Sequence, residues 1–173
     1  DVYKRQVKDD EMKRISIKGT ERVLSQISNN CKIVFPSTHV VFEGINEVKK
    51  DISENESTNP VLSYSSSKAV NEDQIKRSGK NYVILRLGSV YGYSNDTMRL
   101  DIMTNLFSKI TSQNGTLKLF AGGRQIKSLD PLIDVARCFK FMEEREDISQ
   151  ELFNLTKDKV TVKDVAKICK KHN

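Results

Sequence analysis

The chain has 173 residues, with 29 Lys and Arg against 23 Asp and Glu for a net charge of +6, and it is 37% hydrophobic and 30% charged. That balance fits one globular domain or part of one, since ~150 residues make a domain, and it excludes a disordered tail, which would hold fewer large aliphatic residues and a more lopsided charge. Eight Gly, three Pro and three Cys exclude collagen-like and disulfide-scaffold chains, and no apolar run approaches the ~20 residues that a bilayer helix needs.

The first six residues, Asp1-Val2-Tyr3-Lys4-Arg5-Gln6, read as the translation of a transposon end used in sequencing-library preparation. We therefore expect residues 1–6 to be an adapter artefact, with the natural frame cut at Val7. Over residues 7–28, Met12, Ile15, Gly19, Val23 and Ile27 recur at spacings of three and four, which predicts a helix with one apolar face. Residues 31–35 form a short apolar run ended by Pro36, the pattern of a buried strand in a parallel sheet. Residues 43–60 are polar and read as a loop, residues 61–77 as a helix that stops at Ser78-Gly79, and residues 81–87 as a second buried strand. Helix, strand, loop, helix, strand is the repeat of an α/β fold with parallel strands.

Beyond residue 90 the pattern loosens. Residues 99–111 predict a helix, 117–120 a short strand before Gly122-Gly123, and 125–129 another extended piece. Residues 134–144 place Val135, Cys138, Phe139 and Met142 at helical spacing, and residues 152–155 read as a strand. Thr161 to Asp164 reads as a capping box that opens a last helix with Val162, Val165, Ala166 and Cys169 on one face. Cys31, Cys138 and Cys169 are odd in number and contain no C-x-x-C pair, which speaks against a disulfide framework or a zinc knuckle and for reduced thiols. We expect no metal site. The positive charge is spread along the chain, so neither nucleic acid nor a membrane surface is expected as a partner. A phosphate-bearing small ligand and a merely solvated surface suit the mild excess equally.

Three features stand at the ends of these elements, where open α/β sheets hold ligands. Pro36-Ser37-Thr38-His39 puts hydroxyls directly after a buried strand. Tyr64 and Lys68 are four apart, on one face of the next helix. Leu85 to Gly92 follows the second strand. A phenol is a poor base at neutral pH, and a fixed ammonium nearby favours its ionised form. Such a phenolate can take a proton from a substrate hydroxyl.

The three features in this order resemble the extended short-chain dehydrogenase/reductase family, the NAD-dependent sugar-nucleotide epimerases, dehydratases and reductases. Ile17 to Thr20 with Val23-Leu24, Ser37-Thr38, Tyr64 with Lys68, Leu85 to Gly92, Phe153 to Leu155 and the Thr161 cap all match its pattern, covering nearly all of residues 7–173. The fold implied is α/β, the C-terminal part of a Rossmann-like doubly wound parallel sheet with a small α/β substrate-binding subdomain. Residues 7–90 would be the second half of the dinucleotide-binding domain. Residues 91–173 would be mainly substrate-binding, with 134–155 returning a helix and a strand to the Rossmann domain.

The resemblance implies hydride transfer between a sugar carbon and a nicotinamide. Thr38 would bond the reacting hydroxyl, Tyr64 would be the acid/base, and Lys68 would bind the ribose and keep Tyr64 partly ionised. Pro36 and Ser37, with Tyr64 and Lys68, would contact the cofactor, NAD or NADP with NAD favoured. The substrate would be a nucleotide-diphosphate sugar, held by Ser89, Asn105, Leu106, Phe120 and Lys127; relatives carry an Arg where Lys127 stands and often an Asn where Ser89 stands.

After Ser37-Thr38, family dehydratases carry an Asp-Glu pair; His39-Val40 disfavours that reaction. Val41 to Gly44 is nearer to dTDP-4-keto-sugar reductases, and the segment after Ser89 is nearer to epimerases, which we favour. The rival of another kind is a non-catalytic regulatory relative with the same fold. The glycine-rich dinucleotide turn is absent from the sequence, so we expect the chain as written to be an inactive fragment of a cytoplasmic enzyme. The intact protein would pair as a homodimer through helices 7–28 and 61–77.

Overall fold

The computed structural model describes residues 2–47, 49, 51–95 and 98–172, with side chains described from Lys8 onward. The chain divides into two compact units, residues 1–87 with 141–154 and residues 88–140 with 155–173.

The first unit opens with α1, Val2–Gln26, longer at its start than the apolar periodicity predicts because the helix continues through residues 2–6. Strand β1 follows at Lys32–Thr38. The sequence suggested a stop at Pro36, but the strand runs through Pro36, Ser37 and Thr38, since proline is tolerated in a strand with an open side. After a 3-10 turn at His39–Phe42 come α2, Ser63–Arg77, and β2, Asn81–Leu87. Strands β1 and β2 are parallel, in register from Lys32 opposite Asn81 to Thr38 opposite Leu87, and β5, Glu151–Leu155, completes the order β1-β2-β5. Among the described residues β1 is thus paired on one side only.

The residues 83–85 of β2 are wholly buried, as are Val41 and Ile75. Each such aliphatic side chain contributes roughly 1.5–3 kcal/mol on burial, so this short run anchors the unit. Helices α1 and α2 are tied by polar contacts: the Ser16 hydroxyl donates to Asn71 Oδ1 at 2.7 Å, and Gln74 donates to the Ile17 carbonyl at 3.2 Å. Lys32 reaches the carbonyls of Met142 and Arg145 at 2.6 and 2.5 Å, a cation at the C-terminal end of a helix where the backbone presents unpaired oxygens.

The second unit holds β3, Ser89–Tyr91, α3, Met103–Ser112, β4, Ile126–Pro131, the start of α4, Leu132–Glu144, β6, Asp158–Thr161, and α5, Val162–Lys171. Its sheet has the order β3-β4-β6, with β3 parallel and β6 antiparallel to β4. Phe107, Leu129, Val165 and Ala166 form its core, with Leu117 and Leu119 packed against it. The strand predicted at 117–120 does not form. Residues 117–119 have no regular structure and Phe120–Gly123 make a turn in which Ala121 and Gly122 take left-handed backbone, φ 48° and 68°, while the leucines are held by core packing. Helix α3 starts four residues later than the sequence suggested. At α5 the cap is as read: Asp164 N–H donates to Thr161 Oγ1 at 3.1 Å.

Candidate functional site

In the first unit the C-terminal end of β1 meets α2. Pro36, Ser37 and Thr38 are the last residues of the strand, and Tyr64 and Lys68 stand one turn apart near the start of the helix. Lys68 lies along the strand: its Nζ donates to the Pro36 carbonyl at 2.7 Å and sits 4.5 Å from the centre of the Phe35 ring. Burial pushes the Lys68 ammonium below its ordinary value, while the Glu72 carboxylate one turn on opposes that shift. Tyr64 is 45% exposed. Thr38 is buried and caps the 3-10 turn, its Oγ1 accepting from Val40 N–H at 3.4 Å. The His39 ring places Nδ1 2.9 Å from the Leu87 carbonyl, which can only accept, so Nδ1–H donates there.

Three residues of this arrangement escaped the sequence reading. Glu43 bridges from the post-strand loop to the start of α2, accepting from Val61 and Leu62 N–H at 2.9 and 2.6 Å and from the Ser65 hydroxyl. Leu62, the residue that caps α2, offers no side-chain acceptor, so the loop carboxylate does the work of an N-cap. Glu72 and Arg86 form a buried ion pair with the Ser37 hydroxyl donating to it. A signal for that pair was present: Glu72 falls four residues after Lys68, and Arg86 is the one charge in the apolar run 81–87, which demands a buried partner.

The residues predicted for substrate lie in the second unit. Ser89 starts β3 and is half-buried. Asn105 lies in the first turn of α3, where its Nδ2 donates to the Arg99 carbonyl at 2.9 Å. It lines a cavity of about 640 Å³ together with Tyr91, Tyr93, Ser108 and Lys109. Leu106 is 36% and Phe120 85% exposed. Lys127 is exposed on β4 opposite Val160. Of the five, Asn105 alone is among the residues lining that cavity. Asp130 is buried beside Gly88, accepting its N–H at 2.6 Å and that of Lys157 at 2.9 Å. Among the described residues no cluster of His, Cys, Asp and Glu is arranged to hold a metal ion, and no helix is long and apolar enough to cross a membrane.

A dinucleotide needs two kinds of contact, donors at the nicotinamide ribose and a glycine-rich turn at the pyrophosphate. Around Lys68 a half-exposed phenol and an ammonium one turn on are of the first kind, while the Ser37 hydroxyl at the strand end is already given to Glu72. No glycine-rich turn opens a helix in the described chain, so the second contact has no candidate here.

The parallel β1-β2 pair with α2 beside it is an α/β arrangement of the Rossmann-like kind. The sequence matches the RmlD substrate binding domain family over residues 1–167, and the chain belongs to that family. No curated protein matches the sequence significantly. Among solved structures, the UDP-glucose 4-epimerase of Thermotoga maritima, with UDP-glucose, is similar at TM-score 0.81 and 21% identity, over 94% of this chain and 54% of that one. The UDP-glucuronic acid 4-epimerase of Bacillus cereus, in complex with UDP-glucuronic acid and NAD, gives 0.75 and 24%, over 90% and 50%. The UDP-glucose 4-epimerase of Thermus thermophilus, in complex with NAD, gives 0.66 and 22%, over 81% and 47%. The chain thus spans about half the length of the solved structures it matches.

Proposed function

We propose that the chain is the later half of an NAD(P)-dependent oxidoreductase, in first place an epimerase, acting on a nucleotide-diphosphate sugar. The observation that carries this reading is the meeting of α2 with the end of β1, which brings the tyrosine-lysine helix to a strand end bearing Thr38 through the 2.7 Å bond from Lys68 to Pro36. The nicotinamide, when bound, supplies the hydride chemistry. In this reading Thr38 bonds the sugar hydroxyl and Tyr64 takes or returns its proton. Lys68 favours the phenolate and bonds the ribose, while Pro36 and Ser37 line the cofactor side. Ser89, Asn105, Leu106, Phe120 and Lys127 hold the nucleotide-sugar. NAD is favoured, as in the complexes of the similar structures.

The open edge of β1 supports a preceding parallel strand and helix as the home of the pyrophosphate turn. Beside that edge, α1, β1 and α2 leave an apolar groove of about 360 Å³ lined by Ile15, Val23, Leu24, Ile33, Phe35 and Ile75. Without a pyrophosphate turn of its own the present chain is then inactive by itself, and the intact protein pairs through α1 and α2. Cys31, Cys138 and Cys169 are thiols, not disulfides, which suits the cytoplasm.

The test is turnover by the full-length protein and its Tyr64→Phe variant on UDP-sugars. An epimerase interconverts two sugars with no net use of NAD, whereas a keto-sugar reductase oxidises one NAD(P)H per turnover. Loss of about 10²-fold or more in the variant supports the acid/base role. An unchanged rate overturns the acid/base role of Tyr64, and no turnover in either protein points to the non-catalytic relative.

A further inference from the structure

The Glu72 and Arg86 side chains are 3% and 4% exposed and fully interlocked. Arg86 donates from Nε to Glu72 Oε1 at 3.0 Å and from Nη2 to Oε2 at 2.7 Å. Its Nη1 reaches the Glu54 carbonyl at 3.3 Å, and its guanidinium stands 4.9 Å from the centre of the Phe42 ring. Oε1 also accepts the Ser37 hydroxyl at 2.5 Å. One carboxylate on α2 is therefore joined to β2 through Arg86 and to β1 through Ser37.

A buried ion pair is a poor source of stability, because desolvation of both charges offsets their attraction, and well-packed apolar side chains commonly do as well or better. What a bidentate pair supplies is a fixed geometry. Here that geometry falls on consecutive residues of β1: Pro36 is held by Lys68 and Ser37 by Glu72, one helical turn further along α2. Thr38 comes next in the strand, and Tyr64 lies one turn before Lys68.

We infer that Glu72, clamped by Arg86, is a positioning residue that acts through the Ser37 hydroxyl to set the Thr38 end of β1 against the Tyr64–Lys68 face of α2. Its consequence for turnover rests on the oxidoreductase reading; its consequence for the strand does not. The Ser37 side chain, 3% exposed, serves the clamp, leaving its backbone for any contact with a cofactor.

The experiment has two arms, with Ser37→Ala, Ser37→Thr and Glu72→Gln. In the 173-residue chain, amide hydrogen exchange is followed at residues 37–40 and at 83–85; Ser37→Ala is expected to speed the first by about tenfold and leave the second unchanged, a local opening and not a global one. In the full-length enzyme the same variant is expected to lower kcat by about tenfold with KM within about threefold, and Ser37→Thr, which restores the hydroxyl, to recover both. Uniformly faster exchange in β1 and β2, or unchanged exchange, overturns the inference, as does a kcat that Ser37→Ala leaves alone or Ser37→Thr fails to rescue. If Glu72→Gln does not fold, the two Ser37 variants decide. If the wild-type enzyme transfers no hydride, the oxidoreductase reading falls and the exchange arm alone decides whether the clamp holds the strand.

Discussion

The Glu43 carboxylate, in the loop after β1, accepts the backbone N–H of Leu62 at 2.6 Å and so closes the open start of α2 from nineteen residues away. Its pKa reflects two opposed causes. Desolvation pushes it up, and the bonds from Ser65, Leu62 and Val61 together pull it below the usual carboxylate range. A carboxyl whose folded pKa lies below its unfolded value adds stability above the unfolded value and loses it as pH falls through the folded one. Glu43→Ala should therefore cost about 1–2 kcal/mol at neutral pH, as loss of a helix cap does, and the gap to wild type should shrink in acid. Urea melts at pH 7 and pH 3 check this; an equal gap at both would show that the ionised cap does not matter.

Lys68 should lose its proton earlier than the surface lysines. Burial destabilises the ammonium and Glu72 only partly compensates. A lysine depressed on folding binds fewer protons than in the unfolded chain between the two pKa values, so its contribution to stability rises with pH across that window. Carbon-13 NMR titration of the lysine Cε signals should find the Lys68 midpoint below those of the exposed lysines, and Glu72→Gln should lower it further. A midpoint shared with the rest would contradict the buried placement.

Asp130 uses both carboxylate oxygens, one on Gly88 and one on Lys157. Asp130→Asn turns one acceptor into a donor facing an N–H, which should cost about 2–4 kcal/mol because the mismatch is buried. Thermal unfolding measures it, and a loss below about 0.5 kcal/mol, the range of ordinary surface changes, would refute the assignment.

Gly88 leaves no room for a side chain. A Cβ there would meet Asp130 Oδ2 at 2.8 Å and the Ser128 carbonyl oxygen at 2.9 Å. Gly88→Ala should destabilise by about 1–3 kcal/mol, the usual cost of overpacking, whereas Gly19→Ala, where a Cβ meets nothing within 4 Å, should be neutral or stabilising within a helix. Reversal of that order in denaturant melts would exclude the steric account.

Much of the first unit was legible because local and long-range demands agree there. The apolar run 81–87 and the spacing of Ile15, Gly19 and Val23 each define one element, and β2 and α1 follow them. The second unit was harder. Leu117 and Leu119 carry the alternation of a strand but spend it on the core around Phe107, and nothing local distinguishes the two uses. Strand β6, at Asp158–Thr161, is polar and pairs at one side with β4, so its sequence lacks a buried-strand signature. Of the candidate site, Tyr64, Lys68 and Thr38 were named from spacing and resemblance, and the fold brings α2 to the end of β1 that carries Thr38. Glu43, Glu72 and Arg86 were not singled out, because their partners lie fourteen to thirty-five residues away and only folding brings them together.

The one-sided pairing of β1 also governs how this chain behaves in a crowded solution. Among the described residues the other flank of β1 has no partner strand, which makes it a template for any extended peptide that drifts past, blunted only lightly by the missing N–H of Pro36. Produced alone, the chain should be prone to self-association through that flank and to capture by chaperones. Supplied in the same cell with a separate polypeptide carrying a parallel strand-helix pair, it should become soluble at the moment the flank is covered.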